Sequence, residues 1–82
     1  MEIQKLGTML TVDIHSMRRE EAKEALLDLL SNQCDGIHQV TVIHGYHSGQ
    51  SLRNMVRALH HPRIERKILS MNDGETTFYL KK

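Results

Sequence analysis

Leu10, Val12 and Ile14 alternate with Thr11, Asp13 and His15. An alternation of period two marks a half-buried strand, with the apolar set on one face and Asp13 and His15 on the other. Ser16 stands where it can cap a helix. Ala22, Ala25, Leu26, Leu29 and Leu30 then recur at helical spacing from Arg18 to about Asn32. Glu20 and Glu21 fall in the first turn, where the helix dipole favours acid. Asp35-Gly36 reads as a turn. Gln39 to His44 predicts a second, more buried strand, because Val40, Val42 and Ile43 fill both parities. Leu52, Met55, Val56 and Leu59 follow the i, i+3, i+4, i+7 pattern of an amphipathic helix over residues 51–60, which Pro62 ends. Ile64 to Met71 predicts a third strand. Asn72-Asp73-Gly74 is a tight-turn signal, and Thr76 to Leu80 is a fourth strand with Phe78 and Leu80 inward.

The order β-α-β-α-β-β predicts an α/β chain built as an α+β two-layer sandwich. Its mixed four-stranded sheet carries two helices on one face. Residues 8–82 form one domain in this reading, and residues 1–7 a loose lead-in. The expected core draws on every strand and both helices and includes Ile68.

Both early strands stop where a helix is about to start. Open sheets bind ligands at that rim. Adjacent strands lie about 4.8 Å apart, so the strand ends can bring Asp13, His15 and His44 together. Asp13 or His15 would serve as a base, and His44 as an acid or anion ligand, at such a site. The competing reading makes the same residues hydrogen-bonded caps. No metal site is predicted, since the spacing is no metal signature and Asp13 and His44 have opposite parity. No organic cofactor is expected; Mg²⁺ or Mn²⁺ is the class the chemistry leaves open.

Gly45 and Gly49 precede the second helix and can form an anion-binding turn with Tyr46 and His47. Tyr46 is placed to stack on a base. Arg53 and Arg57 share one helix face at i, i+4, and Lys67 adds a third cation from the next strand.

The net charge of +1 is unevenly spread. Residues 1–49 carry −3 and residues 50–82 carry +4. The basic half suits phosphates, while the overall balance argues against strong non-specific affinity. Cys34, the one cysteine, cannot form an internal disulfide. No stretch has the length and apolarity of a signal or membrane segment, so the expected setting is cytoplasmic, with no membrane partner.

Three motifs in order resemble the Smr (small MutS-related) domain family. Val12-Asp13-Ile14-His15-Ser16 followed by Glu21-Ala22 is similar to its Leu-Asp-Leu-His-Gly strand end and the early Glu-Ala of the helix. His44-Gly45-Tyr46-His47-Ser48-Gly49 with Leu52-Arg53 matches in part its His-Gly-x-Gly loop and Leu-Arg helix start. Asn72-Asp73-Gly74-Glu75-Thr76 fits its closing Asn-x-Gly-x-Thr turn. The resemblance covers residues 8–82. Ser16 and His47 depart from it, each standing in place of a glycine, and the loop is about one residue longer.

The resemblance implies a fold like the C-terminal domain of translation initiation factor three. It also implies binding of DNA or RNA and, in several members, endonuclease activity on branched or single-stranded substrates. A protein partner from repair or the ribosome is implied as well. The alternatives are a non-catalytic nucleic-acid-binding module and a docking module for a larger factor; His47 in the loop favours binding.

Overall fold

A computed structural model of the chain describes residues 1–45, 50–71 and 73–82. The order is β1 (Glu2–Leu6), β2 (Met9–Asp13), α1 (Arg19–Asn32), β3 (Gln39–Ile43), α2 (Ser51–Ala58), β4 (Ile64–Leu69) and β5 (Glu75–Leu80). The strands form one mixed sheet in the order β1-β2-β3-β5-β4. Among the described residues only β2 and β3 pair in parallel, across α1; β4 and β5 form the expected antiparallel hairpin.

The registers explain the two layers. Leu10, Val40 and Phe78 lie side by side, as do Val12, Val42 and Thr76. All six are buried, together with Ile14 and Leu80. Ala22, Leu26, Leu29 and Leu30 of α1 and Leu52, Met55 and Val56 of α2 complete the same core. Both helices therefore cover one face. The other face carries Thr11, Thr41, Thr77 and Tyr79, and Thr41 and Thr77 hydrogen-bond there at 3.1 Å. β3 is thus buried on one face only, with Ile43 half exposed.

Four expectations are corrected. The sheet has five strands, because residues 2–6 of the supposed lead-in form β1, paired antiparallel with β2. Every β1 residue is exposed, so no apolar alternation announced the strand. Its signal lay in the two-residue connection Gly7-Thr8: Gly7 sits at φ +61°, and glycine at the first central position suits a II′ hairpin.

Ser16 does not cap α1, whose N-cap is Arg18 without a side-chain cap bond. The second helix is shorter than expected, ending at Ala58.

Ile68 is 43% exposed rather than in the core. Ile64 pairs with Leu80 but Arg66 pairs with Tyr79, so a bulge inserts one residue into β4. An inserted residue reverses the facing of everything after it. Ile68 turns to the open face beside Thr77, and Lys67 turns toward the helices beside Phe78.

Candidate nucleic-acid interface

Asp13 closes β2 on the open face, with Glu2 of β1 and Ile43 of β3 beside it. Its Oδ1 accepts the backbone N–H of His15 at 3.0 Å and also the His15 ring at Nδ1. A carboxylate can only accept, so Nδ1 carries the hydrogen and Nε2 is left for another partner. The His15 ring bond, and then the backbone bond, hold the Asp13 carboxyl below its ordinary pKa of 3.8 against a smaller opposing effect of burial. Asp13 is therefore ionised at neutral pH. The His15 side chain is 61% exposed. This is the arrangement in which a carboxylate fixes the tautomer and direction of a general base. A cleft of about 130 Å³ lined by Met1, Glu2, Asp13, His15, Ser16 and Met17 opens on one side.

Gly45 closes the other side. It lies at φ +73°, and a Cβ there would sit 3.2 Å from His15 Cβ. Glycine is needed for both backbone and space. The two strand ends are neighbours, but of the three side chains expected to meet there only Asp13 and His15 do.

His44 takes a different position from His15. It is 1% exposed, on the helix side with Val40 and Val42. Its Nδ1–H donates to Gly45 O at 3.0 Å, and the Thr76 hydroxyl lies 3.0 Å from Nε2. With Nδ1 donating, Nε2 accepts the Thr76 proton. Arg57 Nε in turn donates to Thr76 Oγ1 at 3.4 Å. Burial lowers the His44 pKa; its bond to Gly45 O opposes this, and Arg57 and Arg53 lower it further. The imidazole is neutral at pH 7, with both nitrogens engaged.

Arg53 and Arg57 do share a face of α2, and their side chains are 16% and 24% exposed. Both meet Asp73 in the β4–β5 turn. Arg53 Nη1 lies 3.2 Å from Oδ2, and Arg57 Nη2 lies 3.6 Å from Oδ1. The Gly74 carbonyl ties that turn to the rim by accepting the N–H groups of His44 at 2.9 Å and Gly45 at 3.0 Å.

Lys67 is engaged elsewhere. The bulge sends it under the sheet, where Nζ donates to Arg57 O at 2.7 Å, at the C-terminal end of α2. A cation there offsets the helix dipole. Burial lowers its pKa. Tyr46, His47 and Gly49 lie outside the described residues.

Thr76 and Asp73 were absent from the expected site. Thr76 had a signal: it shares the inward parity of Phe78 and Leu80, and a polar residue on a buried face needs a partner. Asp73 had none beyond its place in the turn. His61 links α1 to the loop after α2, accepting Arg63 N–H and donating to Ser31 Oγ at 2.9 Å.

Among the described residues, no three His, Cys, Asp or Glu side chains converge to hold a metal ion. Among the described residues the rim donors do not fit one, since Asp13 turns to His15 and His44 is fully bonded inside. Burial pushes the Cys34 thiol up, away from nucleophilic chemistry. Among the described residues, no helix is long and apolar enough to cross a membrane.

The Smr domain family model matches residues 12–77. The Smr domain of Thermus thermophilus MutS2, in its crystal structure, superposes with a TM-score of 0.78 at 20% identity. The match covers 88% of this chain and 98% of that one. That likeness is one of fold. No curated protein matches the chain.

Proposed function

Because the chain belongs to the Smr domain family, a nucleic-acid-binding, nuclease-like module, we propose that the β2–β3 rim binds a phosphodiester backbone and cleaves it. The substrate class is branched or single-stranded DNA or RNA. The observation that carries this reading is the exposed Asp13–His15 dyad packed against Gly45.

His15 Nε2 takes a proton from the attacking hydroxyl or water as its oxygen bonds to phosphorus; the P–O bond to the leaving oxygen breaks, and that oxygen takes its proton from solvent. Asp13 holds the ring and stabilises the imidazolium that forms. Arg53 and Arg57 supply charge to the phosphate. His44 is a positioning residue in this scheme. It holds Gly45 through the carbonyl and Arg57 through Thr76, and does not touch substrate. Lys67 is assigned to α2 rather than to the interface. No step is routed through a metal.

The test is incubation of the purified chain with labelled branched DNA, single-stranded DNA and structured RNA, with EDTA and with Mg²⁺ or Mn²⁺. Asp13→Ala and His15→Ala should each lower the cleavage rate by roughly 10²-fold or more, the scale for losing a positioned base. Affinity should change far less, because the lost interactions belong to the transition state. A wild-type chain that binds these nucleic acids without cutting any of them replaces the nuclease with a binding module. The departure of His47 from the family glycine favours that second reading.

A further inference from the structure

Arg53 and Arg57 grip the two oxygens of one carboxylate, each taking a different one. Planar guanidinium groups recognise phosphate by the same geometry. These three groups together, two cations and the Asp73 carboxylate, carry one positive charge in excess. The partners are also unequal in anchorage. The arginines are mostly covered, and Arg57 is held at Nε by the Thr76 hydroxyl. Asp73 is 66% exposed on a turn. Gly74, the next residue, is fixed to the rim through its carbonyl. The Asp73 side chain can therefore leave without taking the rim with it. Exposed ion pairs of this kind hold weakly.

We propose that Arg53 and Arg57 form the seat for one phosphate group, and that the Asp73 carboxylate occupies this seat until a phosphate displaces it. The proposal rests on the nucleic-acid reading above for the source of the phosphate, a backbone phosphodiester. A free phosphate ion has the same chemistry, so both are tested. Asp73 then tunes the domain. It neutralises the basic pair in the free chain and gives way only to a polyanion that brings further contacts and releases its own counterions.

Asp73→Asn keeps the shape and a turn-forming side chain while removing the competing charge. Fluorescence anisotropy with a labelled single-stranded oligonucleotide, at several NaCl concentrations, is the first arm. The variant should bind about 1.4- to fivefold tighter, the range spanned by losing one exposed ion-pair competitor. The slope of log affinity against log salt should stay within about 0.7 of the wild type, the weight of one single-strand phosphate, because the same phosphate fills the seat once Asp73 has left. In the second arm, thermal midpoints are compared in inorganic phosphate and in NaCl at equal ionic strength. The Asp73→Asn chain should gain more from phosphate than the wild type, and Arg53→Gln with Arg57→Gln in that background should abolish the gain.

Unchanged or weaker oligonucleotide binding, in a variant that melts like the wild type, overturns the proposal. If neither chain binds any oligonucleotide, the nucleic-acid reading fails by itself, and the phosphate arm decides the seat. A response confined to Asp73→Asn then supports the seat with Asp73 as its occupant in the free wild-type chain, and no response in either chain overturns the seat.

Discussion

His15 follows β2 with 61% of its side chain exposed, and His44 follows β3 with 1% of the residue exposed. The two strands are parallel neighbours, and the two loops touch at Gly45. The difference between the histidines is one of parity. His15 lies on the Asp13 side of β2, while His44 continues the row of Val40 and Val42 into the core. One ring is oriented by a carboxylate and keeps a nitrogen for chemistry. The other spends both nitrogens on Gly45 and Thr76. A motif histidine at a strand end is thus open to solvent or built into the core according to the face on which its strand delivers it, and the proposed chemistry makes the first a reagent and the second a brace.

The comparison breaks most visibly in rate. If the exposed ring is the reagent, His15→Ala removes the roughly 10²-fold or more set out above with the thermal midpoint unchanged. A variant that cuts like the wild type would remove His15 from the chemistry.

The next effect is on stability, and it belongs to the buried brace. Thr76→Val keeps the volume but strips the hydroxyl from His44 Nε2 and Arg57 Nε. A buried acceptor left unmet costs about 1–3 kcal/mol. For a domain of this size that lowers the melting midpoint by roughly 4–8 °C per kcal/mol. Chemical denaturation at pH 7.5 measures it directly; a loss within error would mean that the network does not hold the rim.

The smallest effect concerns Lys67. Lys67→Met should lose about 0.3–1 kcal/mol of stability, the range for a cation at a helix C-terminus. Oligonucleotide affinity and its salt slope should stay as in the wild type. A shallower slope would return Lys67 to the interface.

Much of this was legible in the chain. Alternation in Leu10–His15 and the helical spacing of Leu52–Leu59 gave the elements, and two strand ends gave the rim. The burial of His44 was also legible, since it shares the parity of Val40 and Val42. Three features were not. β1 has no buried face, so the hydrophobic pattern cannot show it. The bulge between Ile64 and Arg66 has no local sequence mark, and it alone exchanges Ile68 and Lys67 between faces. Asp73 is bound by residues some sixteen to twenty positions earlier in the sequence, a contact that only the assembled fold creates.

The division between reagent and brace is tested most directly by NMR of the histidine rings, titrated with pH and then with a single-stranded oligonucleotide. Burial lowers the pKa of His44 from 6.5, so its ring should remain mostly the neutral Nδ1–H tautomer at pH 6.5, where an ordinary histidine is half protonated. The sign for stability follows: the unfolded chain takes up that proton first, so the His44 contribution is complete above about pH 6.5 and is lost as pH falls through the lowered folded value. On adding oligonucleotide at pH 7, the His15 Nε2 signal should shift and the His44 signals should stay still. A His44 ring that titrates like a free histidine, or that responds to nucleic acid while His15 is silent, would contradict the assignment of the two histidines.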